Sequence, residues 1–365
     1  MAHKIFVAAT GQHCGKTTSS LLLMRAAQTL YGRVAFMKPV GQEYREVGDL
    51  KVDKDALLMA EVFGLFPYLR HMSPVVSDRS FTRRFIDGLV DPKELSQRVI
   101  DSFSTLERDF DAVVIEGTGH SGVGSVFGLS NARVAALLDA PVTMVTGGGI
   151  GQVVDRVALA LPLYAQEGAT VRAVMANKIL ADKRAQSLSY LSRALAPSHV
   201  SVVGGLDFTP TLSSPSLRSI SMCLRQPILG DTSTQDRLVN ALHMGVASSQ
   251  RVVDLLEADT LVITASTRDE LLVTLASLYD IPEYRTRIVG IIVTGVAPIS
   301  PITQRILTAS RIPLVRTEAN ATHTLNELST FVAKLNAADQ AKLRWLFEYG
   351  LQQMPIETIA PLFSA

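Results

Sequence analysis

The segment at residues 5–18 limits what this chain can fold into more than any other. It reads IFVAATGQHCGKTT, and residues 19–30 after it contain neither proline nor glycine. A short apolar run, a glycine-bearing turn and a helix-forming stretch predict a buried strand, a tight turn and a helix. Such a turn presents backbone N–H groups at a helix N-terminus, where phosphate binds. We therefore predict a phosphate-binding loop; a strand–helix turn with an incidental Gly-Lys-Thr is the alternative.

The last residues of this turn give the predicted loop its chemistry. In such loops the lysine reaches the β- and γ-phosphates and the next hydroxyl lies on Mg²⁺, roles that we assign to Lys16 and Thr17. The loop is a variant, because the glycine expected five positions before Gly15 is Thr10, and Gly11 follows one place late. The predicted nucleotide-binding residues of the loop are Gly11, Gln12, His13, Cys14, Gly15, Lys16, Thr17 and Thr18.

The composition is that of an ordinary globular protein. A length of 365 residues suggests two domains, or three. With 47% hydrophobic residues and a net charge of +1, the sequence gives no argument for a nucleic-acid or membrane partner. We expect no signal peptide and no membrane span, because no apolar run has the required length. Two cysteines exclude a disulfide scaffold, and we expect a cytoplasmic location.

Strand and helix patterns alternate through the first part of the chain. Strands alternating with helices form a parallel sheet, because a crossover helix brings each strand back in the same direction. The sequence therefore predicts a P-loop domain of three α/β/α layers with a mainly parallel sheet at residues 1–208. After the first strand, further buried strands are predicted at residues 34–40, 110–116, 140–146, 171–178 and 200–204.

Charged side chains stand at or near the ends of two predicted strands. In open α/β sheets, ligands bind outside the carboxyl ends of the strands. Lys38 is either a solvated lysine or a positive charge for an anionic substrate, and Glu116 is the carboxylate we choose for Mg²⁺. Asp53 and Asp55 open the next helical stretch, where an aspartate either caps the helix or binds Mg²⁺. The residues alone leave both interpretations open.

Three further features give weaker indications. Asn177 ends another strand, and its amide could read a purine edge; a guanine-type Asn-Lys-x-Asp would need aspartate where Leu180 stands, so adenine is favoured. His120 follows the glycine turn after Glu116 and is either a phosphate contact or ordinary loop. The basic stretch 67–84 reads as a loop that lies over an anion or faces solvent.

A second module follows a linker rich in serine, threonine and proline. We predict a smaller α/β domain at residues 209–322 and a helical C-terminal tail at residues 323–365, whose apolar side chains suit core packing or a dimer contact. Within the smaller domain a capping pattern predicts one long helix at residues 234–256. The other elements predicted there are strands at 260–265, 288–294 and 313–317 and helices at 269–279 and 302–309.

Residues 4–204 resemble the dethiobiotin synthetase family. The resemblance rests on Gly15-Lys16-Thr17, Lys38-Pro39-Val40, the Asp53/Asp55 segment, Glu116-Gly117-Thr118-Gly119 and Asn177. It implies that the loop binds ATP, that Lys16 and Lys38 act in catalysis, with Lys38 holding a substrate carbamate, and that Asn177 recognises adenine. It also implies that Thr17, Asp55 and Glu116 hold Mg²⁺; Asp55 matches better than Asp53 because an alanine follows it. Where the family has Gln-Thr-Gly after Lys-Pro-Val, this chain has Gly41-Gln42-Glu43.

Residues 212–320 resemble a DRTGG domain. The two domains in this order resemble the N-terminal regulatory part of long bacterial phosphotransacetylases. The catalytic acetyltransferase domain of those enzymes would need about 300 further residues, and we expect it to be absent. The resemblance implies a homodimer and allows a protein partner that binds the DRTGG domain.

Three hypotheses follow from these residues. The first is an enzyme that transfers phosphate from ATP·Mg²⁺ to a small carboxylate substrate, or that hydrolyses ATP slowly. The second is a nucleotide sensor with little turnover, whose DRTGG domain relays occupancy to a partner. The third is a redox role for Cys14, whose thiol lies among N–H donors beside Lys16.

Overall fold

The chain forms two compact units. The computed structural model describes residues 2–331 and 333–364. The first unit comprises the residues up to 208 together with those from 343 onward, and the second unit comprises residues 209–342. Within the residues described, no helix combines the length and the apolar character that crossing a bilayer requires.

The first unit is a parallel sheet with helices packed on it. Its strands are β1 (His3–Ala9), β2 (Val34–Met37), β3 (Val40–Gly41), β4 (Tyr44–Val47), β5 (Leu50–Asp53), β6 (Val75–Val76), β7 (Ala112–Glu116), β8 (Val142–Gly147), β9 (Val171–Asn177) and β10 (Ser201–Gly204). Its helices are α1 (Lys16–Tyr31), α2 (Lys54–Phe63), α3 (Leu69–Met72), α4 (Phe81–Ile86), α5 (Pro92–Asp109), α6 (Asn131–Leu137), α7 (Ile150–Glu167) and α8 (Arg184–Leu195).

The strand order places β1 at the centre of the sheet. The order of the main sheet is β10-β9-β8-β1-β7-β2, and all neighbouring strands run parallel. This confirms the predicted fold class. The chain passes from β1 outward to β2, returns to β7 and then continues on the other side of β1 with β8. Such a change of direction leaves a crevice at the carboxyl ends of the strands, where ligands bind in open α/β sheets.

The burial of these elements follows from their sequence. Residues 5–9 of β1 are fully buried, as expected of a parallel strand covered on both faces. The run Leu21, Leu22, Leu23 and Met24 of α1 is buried as well. Leu346 and Ile359, from the end of the chain, are also fully buried in the first unit.

The second unit has a sheet of its own. Its strands are β11 (Ile228–Leu229), β12 (Ala241–Met244), β13 (Thr260–Ala265), β14 (Ile288–Thr294) and β15 (Leu314–Thr317), in the order β11-β15-β14-β13-β12. Only the β11–β15 pair among these strands is antiparallel. Its helices are α9 (Pro210–Ser213), α10 (Leu217–Leu224), α11 (Ser249–Asp254), α12 (Asp269–Tyr279), α13 (Pro282–Arg287), α14 (Pro301–Ser310) and α15 (Ala321–Thr330).

Two helices and several short turns complete the description. Helices α16 (Gln340–Gln353) and α17 (Ile356–Ile359) follow α15. Single 3₁₀ turns lie at Phe66–Tyr68, Ser125–Phe127, Ala181–Lys183, Ala196–Ser198, Thr232–Thr234 and Ala360–Leu362.

Two predictions about local structure are wrong. The long helix predicted at residues 234–256 is instead β12 followed by α11, because β12 pairs in parallel with β13 along Ala241–Met244. Gly245 ends that strand in close contact with the next elements, since an added Cβ would lie 2.6 Å from Leu271. The stretch 67–84, predicted to be loop, contains α3, β6 and the start of α4, because Met72 and Phe81 are buried there.

Candidate nucleotide-binding site

The predicted phosphate loop lies between β1 and α1, and its backbone requires glycine at its end. Gly15 caps α1 in a left-handed conformation with φ 90°. A Cβ at Gly15 would collide with the side-chain amide of Asn177. That amide donates to the carbonyl of Cys14 at 2.9 Å, and Lys178 Nζ donates to the carbonyl of His13 at 2.7 Å. With these carbonyls held at the end of β9, the first N–H groups of α1, which have no acceptor within the helix, are left for phosphate oxygens.

Lys16 and Thr17 connect the loop to the segment after β7. Lys16 Nζ donates to the carbonyl of Gly119 at 2.8 Å, and Thr17 Oγ1 donates to Glu116 Oε1 at 3.2 Å. Burial lowers the pKa of Lys16, and the nearby Glu116 carboxylate partly opposes this. Both predicted loop residues therefore form hydrogen bonds with the end of β7 or with the turn that follows it.

Lys38 is the centre of the charged cluster. Its Nζ donates to Asp55 Oδ2 at 2.7 Å, to Glu116 Oε1 at 2.8 Å and to the Gly117 carbonyl at 3.3 Å. These contacts use all three ammonium hydrogens. Burial by itself lowers the pKa of Lys38, but the facing carboxylates of Glu116 and Asp55 outweigh burial and raise it above its ordinary value. Lys38 is therefore charged throughout the physiological range.

The two candidate aspartates have different positions. Asp53 is the N-cap of α2, and its Oδ1 accepts from the N–H of Asp55 at 2.9 Å. Burial raises the pKa of Asp53 to about 6, against the opposing effect of Lys38. Asp55 instead reaches Lys38, so it is Asp55 that joins Glu116 in the cluster. Gly41 is needed beside them, because an added Cβ would lie 2.6 Å from Asp53 Cβ.

The donor set fits Mg²⁺. Burial raises the pKa of Glu116, with Lys38 opposing, and its Oε2 is buried without a hydrogen-bond partner among the described residues. Thr17, Asp55 and Glu116 offer the hard oxygen ligands that Mg²⁺ prefers. The described residues contain no group of three or more His, Cys, Asp or Glu side chains placed to hold a metal. A site with one or two carboxylates, completed by water and nucleotide phosphate, is the usual arrangement for this ion.

The fold and this geometry can now be compared with known proteins. A family model described as an AAA domain matches residues 3–216. The chain belongs to this AAA domain family. A second model, described as a DRTGG domain, matches residues 220–331. The AAA domain thus carries the whole candidate site, and the DRTGG domain follows it.

The curated proteins that this chain matches include a phosphate acetyltransferase and a dethiobiotin synthetase. A phosphate acetyltransferase of Pseudomonas putida is 24% identical over 361 residues, covering 94% of this chain and 49% of that protein. The ATP-dependent dethiobiotin synthetase BioD of Frankia casuarinae is 30% identical over 174 residues, covering 47% of this chain and 69% of that protein. The predicted resemblances are confirmed. The chain spans about half the length of the phosphate acetyltransferases that it matches.

Solved structures give a more distant comparison. The MinC:MinD cell division protein complex of Aquifex aeolicus matches with a TM-score of 0.37 and 13% identity, covering 58% of this chain and 84% of that chain. A putative plasmid partition protein of Borrelia burgdorferi matches with the same TM-score and 11% identity, covering 57% and 87%.

Asn131 of the AAA domain is a site residue that the sequence did not reveal. It lies in the first turn of α6, and its Oδ1 accepts from the N–H of Thr118 at 2.9 Å. Its Nδ2 donates to the carbonyls of Thr118 at 2.8 Å and His120 at 2.7 Å. Asn131 therefore fixes the turn after Glu116, including the carbonyl that Lys16 contacts. No pattern in the sequence marks a buried asparagine at a helix start as part of a distant loop.

Other predicted residues of the AAA domain have structural partners. Asn177 donates to the carbonyl of Cys14 and accepts from the N–H of Leu206 at 2.8 Å, so its side chain holds the predicted phosphate loop in place. Recognition of adenine by Asn177 stays a prediction. His120 is exposed, and its ring Nδ1 accepts from the N–H of Gly122 within its own turn at 3.3 Å. Cys14 is buried, and its thiol donates to the carbonyl of Gln12 at 3.6 Å. The redox hypothesis for Cys14 has no further support.

A cavity opens beside the cluster, at the segment that differs from the dethiobiotin synthetase pattern. Its volume is about 430 Å³. Arg79 makes no hydrogen bond or ion pair with any described residue, whereas Lys54 pairs with Glu43 at 3.3 Å. Lys54 lies between the two aspartates in sequence, so the cavity and the charged cluster both use residues at the start of α2. The lining residues are Gln42, Glu43, Tyr44, Lys54, Asp78, Arg79 and Ser80.

Proposed function

We propose that the AAA domain binds ATP and Mg²⁺ and transfers the γ-phosphoryl group to a carboxylate of a small molecule, or slowly to water. One observation carries the proposal: Lys16, Thr17, Lys38 and Glu116 come from three separate elements to one point at the carboxyl edge of the sheet. The relationship to an ATP-dependent synthetase supports ATP as the nucleotide. We place this activity in the cytoplasm.

The proposed reaction is a phosphoryl transfer in which the protein mainly positions groups and neutralises charge. A carboxylate oxygen of the acceptor forms a bond to the γ-phosphorus while the bond to the β–γ bridging oxygen breaks. ADP leaves and an acyl phosphate remains. Lys16 and Lys38 stabilise the negative charge on the transferred group, and the buried site strengthens both interactions. Mg²⁺, when bound, would add charge neutralisation at the phosphate oxygens.

The cavity beside the cluster is the place we propose for the acceptor. The free guanidinium of Arg79 suits a second carboxylate of the acceptor, since arginine binds carboxylate through two parallel hydrogen bonds. The acceptor would then be a small molecule with at least two anionic groups, one that reacts and one that Arg79 holds.

A second candidate function is nucleotide sensing without turnover. All three ammonium hydrogens of Lys38 are engaged by Asp55, Glu116 and Gly117, so Lys38 must leave these partners before it can hold a substrate. The match to phosphate acetyltransferases over 94% of this chain supports a regulatory role of that kind. In this alternative the DRTGG domain relays nucleotide occupancy to a protein partner.

Phosphate release assays with ATP·Mg²⁺ and a panel of small dicarboxylates distinguish these functions. We expect ATP binding by the wild type, loss of that binding in Lys16→Ala, and release that depends on one carboxylate. Lys93→Ala is the matched control, because Lys93 is exposed on α5 and its side chain has no described partner. ATP binding without turnover on any acceptor would favour the sensor. Failure of the wild type to bind ATP would contradict both functions.

We also propose that the protein is a homodimer, on the basis of its resemblance to dethiobiotin synthetase. Light scattering coupled to size-exclusion chromatography measures the assembled mass, with 39.5 kDa expected for a single chain. A mass that stays at one chain over the accessible concentration range would contradict the dimer.

A further inference from the structure

The phosphate loop has an open flank on the side of β8. Gly11, which begins the loop, has no side chain, and a Cβ built there would have only ordinary contacts, 3.6 Å from Arg156 Nη1 and 3.8 Å from Cys14 Sγ. Arg156 lies in the second turn of α7, the helix that follows β8. One guanidinium nitrogen of Arg156 therefore lies within van der Waals distance of the position that a side chain at Gly11 would take.

Arg156 is a cation without a counter-charge among the residues that the structure describes. It makes no hydrogen bond, ion pair or ring contact with any described residue, although its side chain is only partly exposed. The other cations near the loop are engaged, Lys16 by the Gly119 carbonyl, Lys178 by the His13 carbonyl and Lys38 by two carboxylates. Among these four, Arg156 alone makes no contact with a described residue that would occupy its donors.

The distribution of charge around the loop is one-sided. β7 and β8 flank β1 on opposite sides. On the β7 side, the three carboxylates of Asp53, Asp55 and Glu116 outnumber the two ammonium groups of Lys38 and Lys16. A nucleoside polyphosphate is strongly anionic and would be repelled from that side until Mg²⁺ binds. An unpaired guanidinium on the β8 side supplies attraction that the β7 side lacks.

We propose that Arg156 is a phosphate-binding residue of the nucleotide site, and that it donates to the β- or γ-phosphate from the β8 side of the loop. The inference rests on the proposed function, since it requires that the loop binds ATP. Arginine suits this role because its planar fork matches phosphate oxygens and keeps its charge at any physiological pH. The geometry assigns to Arg156 the attraction and orientation of the polyphosphate, separately from the Mg²⁺ residues on the β7 side.

Titration calorimetry with ATP·Mg²⁺, ADP·Mg²⁺ and AMP tests the assignment on the full chain. We expect Arg156→Ala to weaken ATP and ADP binding by about tenfold or more, the usual effect of losing a charge-assisted hydrogen bond. AMP binding should stay unchanged, and it also shows that the variant is folded. Arg156→Lys keeps the charge but loses the fork, so it should restore part of the affinity. If Arg156→Ala is unstable, Arg156→Gln carries the same expectation.

The matched control is Arg98→Ala. Arg98 is an exposed arginine on α5 that likewise has no described partner, and its removal should leave all three affinities unchanged. Arg156→Ala that binds ATP within about twofold of the wild type, while Lys16→Ala loses binding, would overturn the assignment of Arg156 and leave the proposed function standing. An equal loss for AMP and ATP would also overturn it. A wild type that does not bind ATP would overturn both.

Discussion

Lys38 shows how single residues at this site depend on one another. Burial disfavours the ammonium, yet the Glu116 and Asp55 carboxylates reverse that effect and raise its pKa. Removing one partner of such a buried pair costs about 3–5 kcal/mol, because the other charge is left uncompensated. Lys38 is therefore the main group that opposes the effect of burial on the fully buried carboxyl of Glu116. Any ligand that draws Lys38 away must supply a cation in its place, which is the part Mg²⁺ would play.

Asp53 gives a prediction on pH dependence. Its pKa is raised to about 6 in the folded protein, so between about pH 4 and pH 6 the folded state binds more protons than the unfolded state. Stability from Asp53 is therefore present below the unfolded pKa and is lost as pH rises through about 6, an effect of about 3 kcal/mol. Asp53→Asn keeps a helix cap but cannot ionise, and it should flatten the stability profile across this window.

Urea unfolding at intervals from pH 4 to pH 8 measures this effect. The control is Asp91→Asn, which changes a similar N-cap, that of α5, at an exposed position. Equal pH slopes for the wild type and Asp53→Asn would show that Asp53 does not titrate in this range.

At the scale of elements, the turns after the strands determine the geometry of the site. Asn131 holds the turn after β7, which lies close to Phe6 of β1. There is therefore no room for a side chain at Gly117. Helix α7, by contrast, begins beside the loop with glycines that face open space. Glycine is thus required by close packing in the turn after β7. At the start of α7, by contrast, the glycines leave open space on the β8 side of the loop.

Two glycine substitutions compare these elements directly. In Gly117→Ala the added Cβ would lie 2.6 Å from Asn131 Oδ1. The Asn131 side chain cannot move away without breaking the three hydrogen bonds that its amide makes. We expect a loss of about 1–3 kcal/mol in stability, as in other overpacked sites, together with weaker ATP binding. Gly151→Ala, in the first turn of α7 with nothing within 4 Å of the added Cβ, should instead stabilise the fold by up to about 1 kcal/mol.

Chemical denaturation and nucleotide titration of both variants provide the comparison. If Gly117→Ala were as stable as the wild type, the Asn131 network would have to be looser than its hydrogen bonds indicate. If Gly151→Ala were destabilised, the start of α7 would not be open.

At the scale of the whole molecule, the end of the chain belongs to the first unit. Ile359 and Leu346 are fully buried, and Ser364 exchanges two backbone hydrogen bonds with Lys4 of β1, at 2.8 and 3.1 Å. A Cβ on Gly350 would lie 3.0 Å from Leu22 of α1. The final segment thus supports the helix and strand that carry the phosphate loop.

Ile359→Ala tests this arrangement. Truncating a fully buried isoleucine costs about 2–5 kcal/mol, and the loss should fall on the first unit. Hydrogen exchange should become faster in β1 and α1 and stay unchanged in β13 and β14. Glu357→Ala, at an exposed neighbouring position, is the control. Faster exchange throughout both units would contradict the division into separate cores.

The sequence by itself determined the local structure that short-range chemistry dictates. The phosphate loop, the alternation of strands and helices and the two charged strand ends follow from apolar periodicity, glycine placement and residue type. The family is predicted from the resemblance at the motifs Gly15-Lys16-Thr17, Lys38-Pro39-Val40 and Glu116-Gly117-Thr118-Gly119. The local signals failed for residues 241–244, because ALHM is compatible with helix or strand and only its pairing with β13 decides between them.

The tertiary structure decided which side chains meet. Strand order cannot be read from periodicity, and it is the insertion of β7 between β1 and β2 that brings Glu116 to Lys38 and Thr17. The same packing separates Asp55, which joins this cluster, from Asp53, which caps a helix. It also places Arg156 of α7 beside Gly11, far away in sequence. Such contacts depend on the geometry of the whole sheet, which no local stretch of sequence encodes.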